Sequence, residues 1–177
     1  GGWRWHGETL CVSGSVSRNE ISDYIERIEI EPELLTFENL VSGKITGFEI
    51  SGFYQFDDHW SARFGGHLFE GRNDLDDPLA DIPANRFSLG GSWRRGPWIV
   101  DVSWEQRSNI NDPGPGEKTI PSASLLSSSL QYSFSNGLTV SLSGRNLLDE
   151  EYFNSADAQV PLSAGRSLGL SAVLTAP

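Results

Sequence analysis

Few residues in this 177-residue chain have the chemistry to carry catalysis or bind a metal. The three histidines, His6, His59 and His67, are not spaced as metal ligands. His59 reads as a solvated turn residue, while His67 alternates with Phe64, Gly66 and Leu68 and is a candidate for the inside of a barrel. The run "DLDDPLAD" carries four carboxylates, Asp74, Asp76, Asp77 and Asp81, without the spacing and glycine of a calcium loop. Weak cation capture on an outer loop is the most this run offers. Cys11 is the only cysteine, so no internal disulfide forms, and its alternating surroundings make it a buried or inward-facing thiol. No nucleophile elbow, phosphate loop or zinc pattern is present, and the many strand serines need no role beyond filling a polar face. The chain is therefore read as a non-enzyme, with no catalytic, cofactor-binding or metal residue assigned and no cofactor.

The elements that hold these residues are strands. Apolar and polar residues alternate with period two in about eight segments. Leu10, Val12, Gly14 and Val16 form one apolar series, and Phe48, Ile50, Gly52, Tyr54 and Phe56 another. The pattern returns from Trp60 to Leu68, Phe87 to Trp93, Trp98 to Trp104, Leu126 to Phe134, Leu138 to Leu142 and Leu168 to Leu174. Short turns ("DDH", "RGP", "SNG") alternate with long segments at residues 18–44, 70–86, 108–123 and 149–165. In the short turn Asn136-Gly137, both residues tolerate positive φ. This rhythm predicts an antiparallel up-and-down meander with all short turns at one end and the long loops at the other, of which 70–86 and 108–123, rich in Gly, Pro and Asp, are expected to be mobile.

A soluble eight-stranded barrel that binds a small ligand shares this rhythm. Two features favour a membrane barrel. Lysine is scarce, confined to Lys44 and Lys118, and the polar series is Ser, Gly, Arg, Asp and Glu, which suits a wet lumen. Aromatic residues gather beside the short turns: Tyr54, Phe56, Trp60, Trp93, Trp98, Tyr132 and Phe134. The apolar series then faces lipid. No run of about 18 apolar residues is present to form a transmembrane helix. The formal net charge of −11 argues against nucleic acid as a partner. With an N-terminal Gly and no Met, the chain is read as a processed piece or a fragment.

Several motifs, taken in order, narrow the class. "LTVSLSGRNLLDEEYF" places Asn146, Leu147, Asp149 and Tyr152 directly behind a strand, and "SAGRSLGLSAVL" places Gly165 and Arg166 before the last one. "GKITGFEISGFYQFDDHWSARFGGHLFEG" carries Gly47, Phe48 and Glu49, and "TIPSASLLSSSLQYSF" an Ile-Pro step into a strand. This set resembles the C-terminal barrel strands of TonB-dependent outer-membrane receptors, over nearly all of the chain. Leu148 stands where that family has Phe, and the chain ends in Leu174-Thr175-Ala176-Pro177 instead of an aromatic residue.

The resemblance implies that residues 1–177 are the C-terminal part of such a barrel, without its plug domain. It implies a Gram-negative outer-membrane location and import of a scarce ligand such as an iron-siderophore, cobalamin or a glycan. Outer-membrane lipid, the remaining strands and plug, and through the plug the TonB coupling complex, would be its partners. Physically, Asn146 and Asp149 are expected to end a strand through side-chain bonds to nearby amides, with Tyr152 packed over them. Asn146, Leu147, Asp149, Tyr152, Gly165, Arg166, Gly47 and Glu49 are thus expected to be structural.

Overall fold

A computed structural model describes residues 1–31 and 34–175. Its described elements are nine strands in one sheet: β1 (Gly2–His6), β2 (Leu10–Glu31), β3 (Leu34–Gln55), β4 (Trp60–Asn73), β5 (Arg86–Arg95), β6 (Trp98–Arg107), β7 (Ala123–Ser133), β8 (Leu138–Arg145) and β9 (Ser167–Leu174). Spatial order follows chain order and every neighbouring pair is antiparallel, so the fold is an up-and-down all-β meander. The sheet is open, with β1 and β9 as its two edges.

Short turns at 7–9, 56–59, 96–97 and 134–137 lie at one end. The turn residues do what their types allow. Gly137 has φ +83°, and the Asn136 side chain accepts the Leu138 amide at 3.1 Å. At 56–59 the Asp57 carboxylate accepts the amides of His59 (2.7 Å) and Trp60 (2.8 Å), which hold it below the usual carboxylate range.

The expectation of about eight strands is refined, and one other expectation needs correction. The strands number nine, because Gly2–His6 pairs with Cys11–Ser15 as an additional edge strand. Most of residues 18–44 form strand, not a loop: β2 and β3 each run 22 residues and stay paired from Leu10↔Tyr54 to Glu31↔Leu34, with one bulge at Glu29/Glu31. The cause is the density of β-branched residues among the acids, as in Ile21, Ile25, Ile28 and Ile30. Opposed charges add to the pairing, as at Glu20↔Lys44.

Directly opposed residues share a face, so register rows can be followed across the sheet. One row reads Trp5, Val12, Gly52, Phe64, Leu89, Trp104, Leu126. Nearer the short turns another reads Trp60, Trp93, Val100, Leu130, Leu142, Leu170. This face is apolar and bare: Leu89 is 48% exposed, Leu142 50% and Leu170 76%. It stops sharply at the row Arg18, Thr46, Glu70, beyond which β2 and β3 continue as a projecting hairpin. From Trp60 to Leu68 the apolar series covers roughly 27 Å of strand at about 3.4 Å per residue, enough for the apolar band of a tilted barrel wall.

At the short-turn edge the rings pack in a belt. Trp98 and Tyr132 lie 4.5 Å apart, Tyr132 and Phe134 4.5 Å, Tyr54 and Phe56 4.6 Å, and Trp60 and Trp93 6.2 Å. Spin labels at Val100 and Val102 should accordingly be reached by lipid-soluble quenchers more readily than one at Asp101. The reverse order would exchange the two faces.

Candidate functional site: the polar wall and the outer cap

The opposite face is polar and concave. One register row reads Ser15, Glu49, His67, Arg86, Arg107, and the next Ser13, Ser51, Gly65, Ser88, Glu105. All of these except Arg107, together with Arg4, line a trough of about 890 Å³. Its charges are shared. Glu105 meets Arg107 Nε at 2.6 Å and Arg86 Nη1 at 3.6 Å, and Arg63 lies 3.8 Å from Asp101. Glu49 accepts the Ser15 hydroxyl at 3.2 Å. Gly47 is buried in the row of Ser17 and Phe69, where a Cβ would come 2.5 Å from the Phe69 ring. His67 Nε2 lies 3.2 Å from the Ala84 carbonyl. Cys11 opposes His6 near the short-turn end, with Sγ 2.9 Å from Nδ1. No group of three or more His, Cys, Asp or Glu among the described residues has the geometry to hold a metal.

Asn146 to Arg166 form a knot at the far end of β8. Asn146 is 5% exposed with φ +47°. Its Nδ2 donates to the carbonyls of Glu150 (2.9 Å) and Ala164 (3.4 Å), and its Oδ1 accepts the Glu150 amide at 3.0 Å. Asp149, also at positive φ (+58°), accepts the Arg166 amide at 2.8 Å and pairs with its guanidinium at 3.4 Å. Gly165 passes beside that carboxylate, and the Leu147 amide donates to Leu126 of β7 at 2.8 Å. Tyr152 lies under the Arg107 guanidinium, 4.9 Å from Cζ to ring centre. The knot therefore reaches the polar wall through Tyr152, not through Glu49 or Gly47, which lie three strands away or more.

The long connections at 74–85, 108–122 and 146–166, of which the first two were expected to be mobile, pack on one another. The buried apolar residues of the described chain lie in these segments and at the adjoining strand end: Leu79, Ala80, Ile120, Ala123 and Ala156. The Gly, Pro and Asp residues that suggested mobility lie, with neighbouring Asn residues, in defined turns. Asn73 Oδ1, for example, accepts the amides of Leu75 (2.9 Å) and Asp77 (2.8 Å). Sequence reasoning missed this cap, and it missed Arg86, Glu105 and Arg107 as one charged group. The sequence signal for the second was the shared polar phase of adjacent strands.

Apolar outside and polar inside, with short turns at one end and long connections at the other, is the wall of an outer-membrane-type β-barrel. A family model described as "TonB dependent receptor-like, beta-barrel" matches residues 1–147. The chain belongs to that family, which comprises outer-membrane receptors and transporters, not enzymes.

Comparison with curated protein sequences gives no match. Among solved structures, the copper transporter OprC superposes with TM-score 0.84 at 19% identity, over 97% of this chain and 28% of that one. The ferric yersiniabactin uptake receptor FyuA from Yersinia pestis gives 0.77 at 15%, over 96% and 28%. The siderophore receptor PiuA from Acinetobacter baumannii gives 0.72 at 17%, over 97% and 26%. This chain thus spans under a third of the length of the structures it matches, and at these identities the likeness is one of fold.

Proposed function

We propose that the chain is the C-terminal part of the barrel wall of a TonB-dependent transporter in the outer membrane of a Gram-negative bacterium. In this reading residues 1–177 are all barrel, and a plug domain occupies the lumen against the polar rows at Glu49, Arg86 and Glu105. The TonB coupling complex acts through that plug. The cargo is a scarce ligand: a metal ion or its chelate, as the names of the structural neighbours suggest for those proteins, or cobalamin or a glycan. The residues of the Asn146–Arg166 knot, with Gly47 and Glu49, serve structure, not chemistry.

The observation that carries this reading is the division of the sheet into a bare apolar face and a charged concave one, with the two edge strands unpaired. An open edge in lipid leaves backbone groups without partners, at several kcal/mol each by order of magnitude. The edges therefore call for further strands, which a self-contained barrel of these strands would not supply. The test is uptake by cells making the complete protein. Deleting it should abolish energy-dependent accumulation of one metal chelate, cobalamin or glycan among a tested panel. Unchanged accumulation of the whole panel would refute import as the function.

A further inference from the structure

We infer that the connections 74–85, 108–122 and 146–166 form one cooperative cap, which opens as a single unit and not loop by loop. The interlock runs through the "DPGPGEK" segment at 112–118. Glu117 uses both carboxylate oxygens: Oε1 accepts the Asp81 amide of the first loop at 2.8 Å, and Oε2 the Gly114 amide of its own loop at 2.9 Å. Two amides on one charged acceptor make a strong clasp. Gly114 is pressed against the first loop's main chain. A Cβ there would lie 2.4 Å from Ala80 N and 2.6 Å from Ala80 Cα, so only glycine allows the approach.

Gly116 and Lys118 hold the third loop. The Lys118 amide donates to Ala156 O at 2.7 Å, and the Ala158 amide donates to Gly116 O at 3.1 Å. Lys118 Nζ donates to Val160 O at 2.8 Å and stands 3.9 Å over the Phe153 ring. Glu117 and Asp157 form a bridge pair, as do Ile110 and Ile120 within the middle loop.

Cooperativity follows from how the loops are joined, each of them also holding buried apolar residues. Leu79 and Ala80 come from the first loop, Ile120 from the second and Ala156 from the third. The middle loop is bonded to both of the others, so lifting any one of them breaks contacts that hold the next. The cap is also tied to the wall. Arg107 donates from Nη1 to Asn154 Oδ1 at 2.7 Å, and the Phe69 amide donates to Asn85 Oδ1 at 2.8 Å. On this side of the barrel mouth, anything entering must pass beside a closed cap or displace all three loops together.

Hydrogen exchange on the complete protein in lipid nanodiscs tests this without reference to its cargo. In Glu117→Ala, exchange should rise about tenfold at 79–82 and at 153–160 as well as in 108–122. A rise confined to 108–122 would overturn the proposal. Should the variant fail to fold, the unmodified protein decides. At alkaline pH, where exchange reports opening rates, the three loops should share one rate. Three distinct rates would overturn it.

Discussion

Replacing Val102 by arginine should destabilise the complete protein by about 2–4 kcal/mol, while Ser103→Arg, one residue along, should cost less than about 1 kcal/mol. Val102 occupies the middle of β6, four residues from Trp98 in the aromatic belt and four from Gln106. Its row neighbours are Gly91 and Ser128, so no bulky side chain screens it, and it is 43% exposed on the apolar face. An arginine there must hold its guanidinium in hydrocarbon or bend to an interface on either side. Ser103 faces the wet side between Gly90 and Ser127, where Glu105 and Asp101 are two residues away on the same strand. Urea unfolding from lipid vesicles measures both. Equal costs would mean that the two faces do not differ in solvent, and the membrane assignment would fail.

The second large effect belongs to Asn146. Asn146→Ala removes two donors and one acceptor from a residue 5% exposed and leaves alanine at φ +47°. The lost hydrogen bonds and the left-handed backbone together should cost about 2–4 kcal/mol. Asn146→Gly restores the backbone but not the bonds, so it should cost less. Asn146→Asp keeps the acceptor for the Glu150 amide but turns a carboxylate toward the carbonyls of Glu150 and Ala164, and should be at least as damaging as alanine. Unfolding measurements on the three variants give the order. If alanine matched the unmodified protein, the knot would have no structural role.

Most of the wall was legible because a strand in a two-solvent environment must write both solvents into its sequence. Val100, Asp101, Val102 and Ser103 state their faces one by one. Asn136-Gly137 and Asp57 state where the chain reverses, and Asn146 with Asp149 state where it leaves the sheet. Four things stayed hidden. β1 is five residues long, too short for periodicity to stand out. The outer arms of β2 and β3 lie beyond the row Arg18, Thr46, Glu70, outside the zone where one face must be apolar. Their alternation fades there, and the acids resemble a solvated loop. The cap was hidden for another reason. Its buried apolar residues, Leu79, Ala80, Ile120 and Ala156, come one or two from each of three segments, which gives no period at all. The grouping of Arg86, Glu105 and Arg107 needs strand register, which composition does not carry.

Among the described residues, the apolar side chains closed off from solvent sit in the connections and at the adjoining end of β7, while Leu170, Leu168 and Leu174 stand bare on a strand. In most folds the elements resist alteration and the loops are where new binding functions are grafted. Here the freedoms are exchanged. A fluid bilayer has no shape to match, so one lipid-facing aliphatic serves about as well as another. The tip at 112–118 has a fit to satisfy on every side. An engineer seeking a site for an epitope or a tag on this protein would do better at the two-residue turn Gly96-Pro97 than in the long loops that look, from their composition, like open ground.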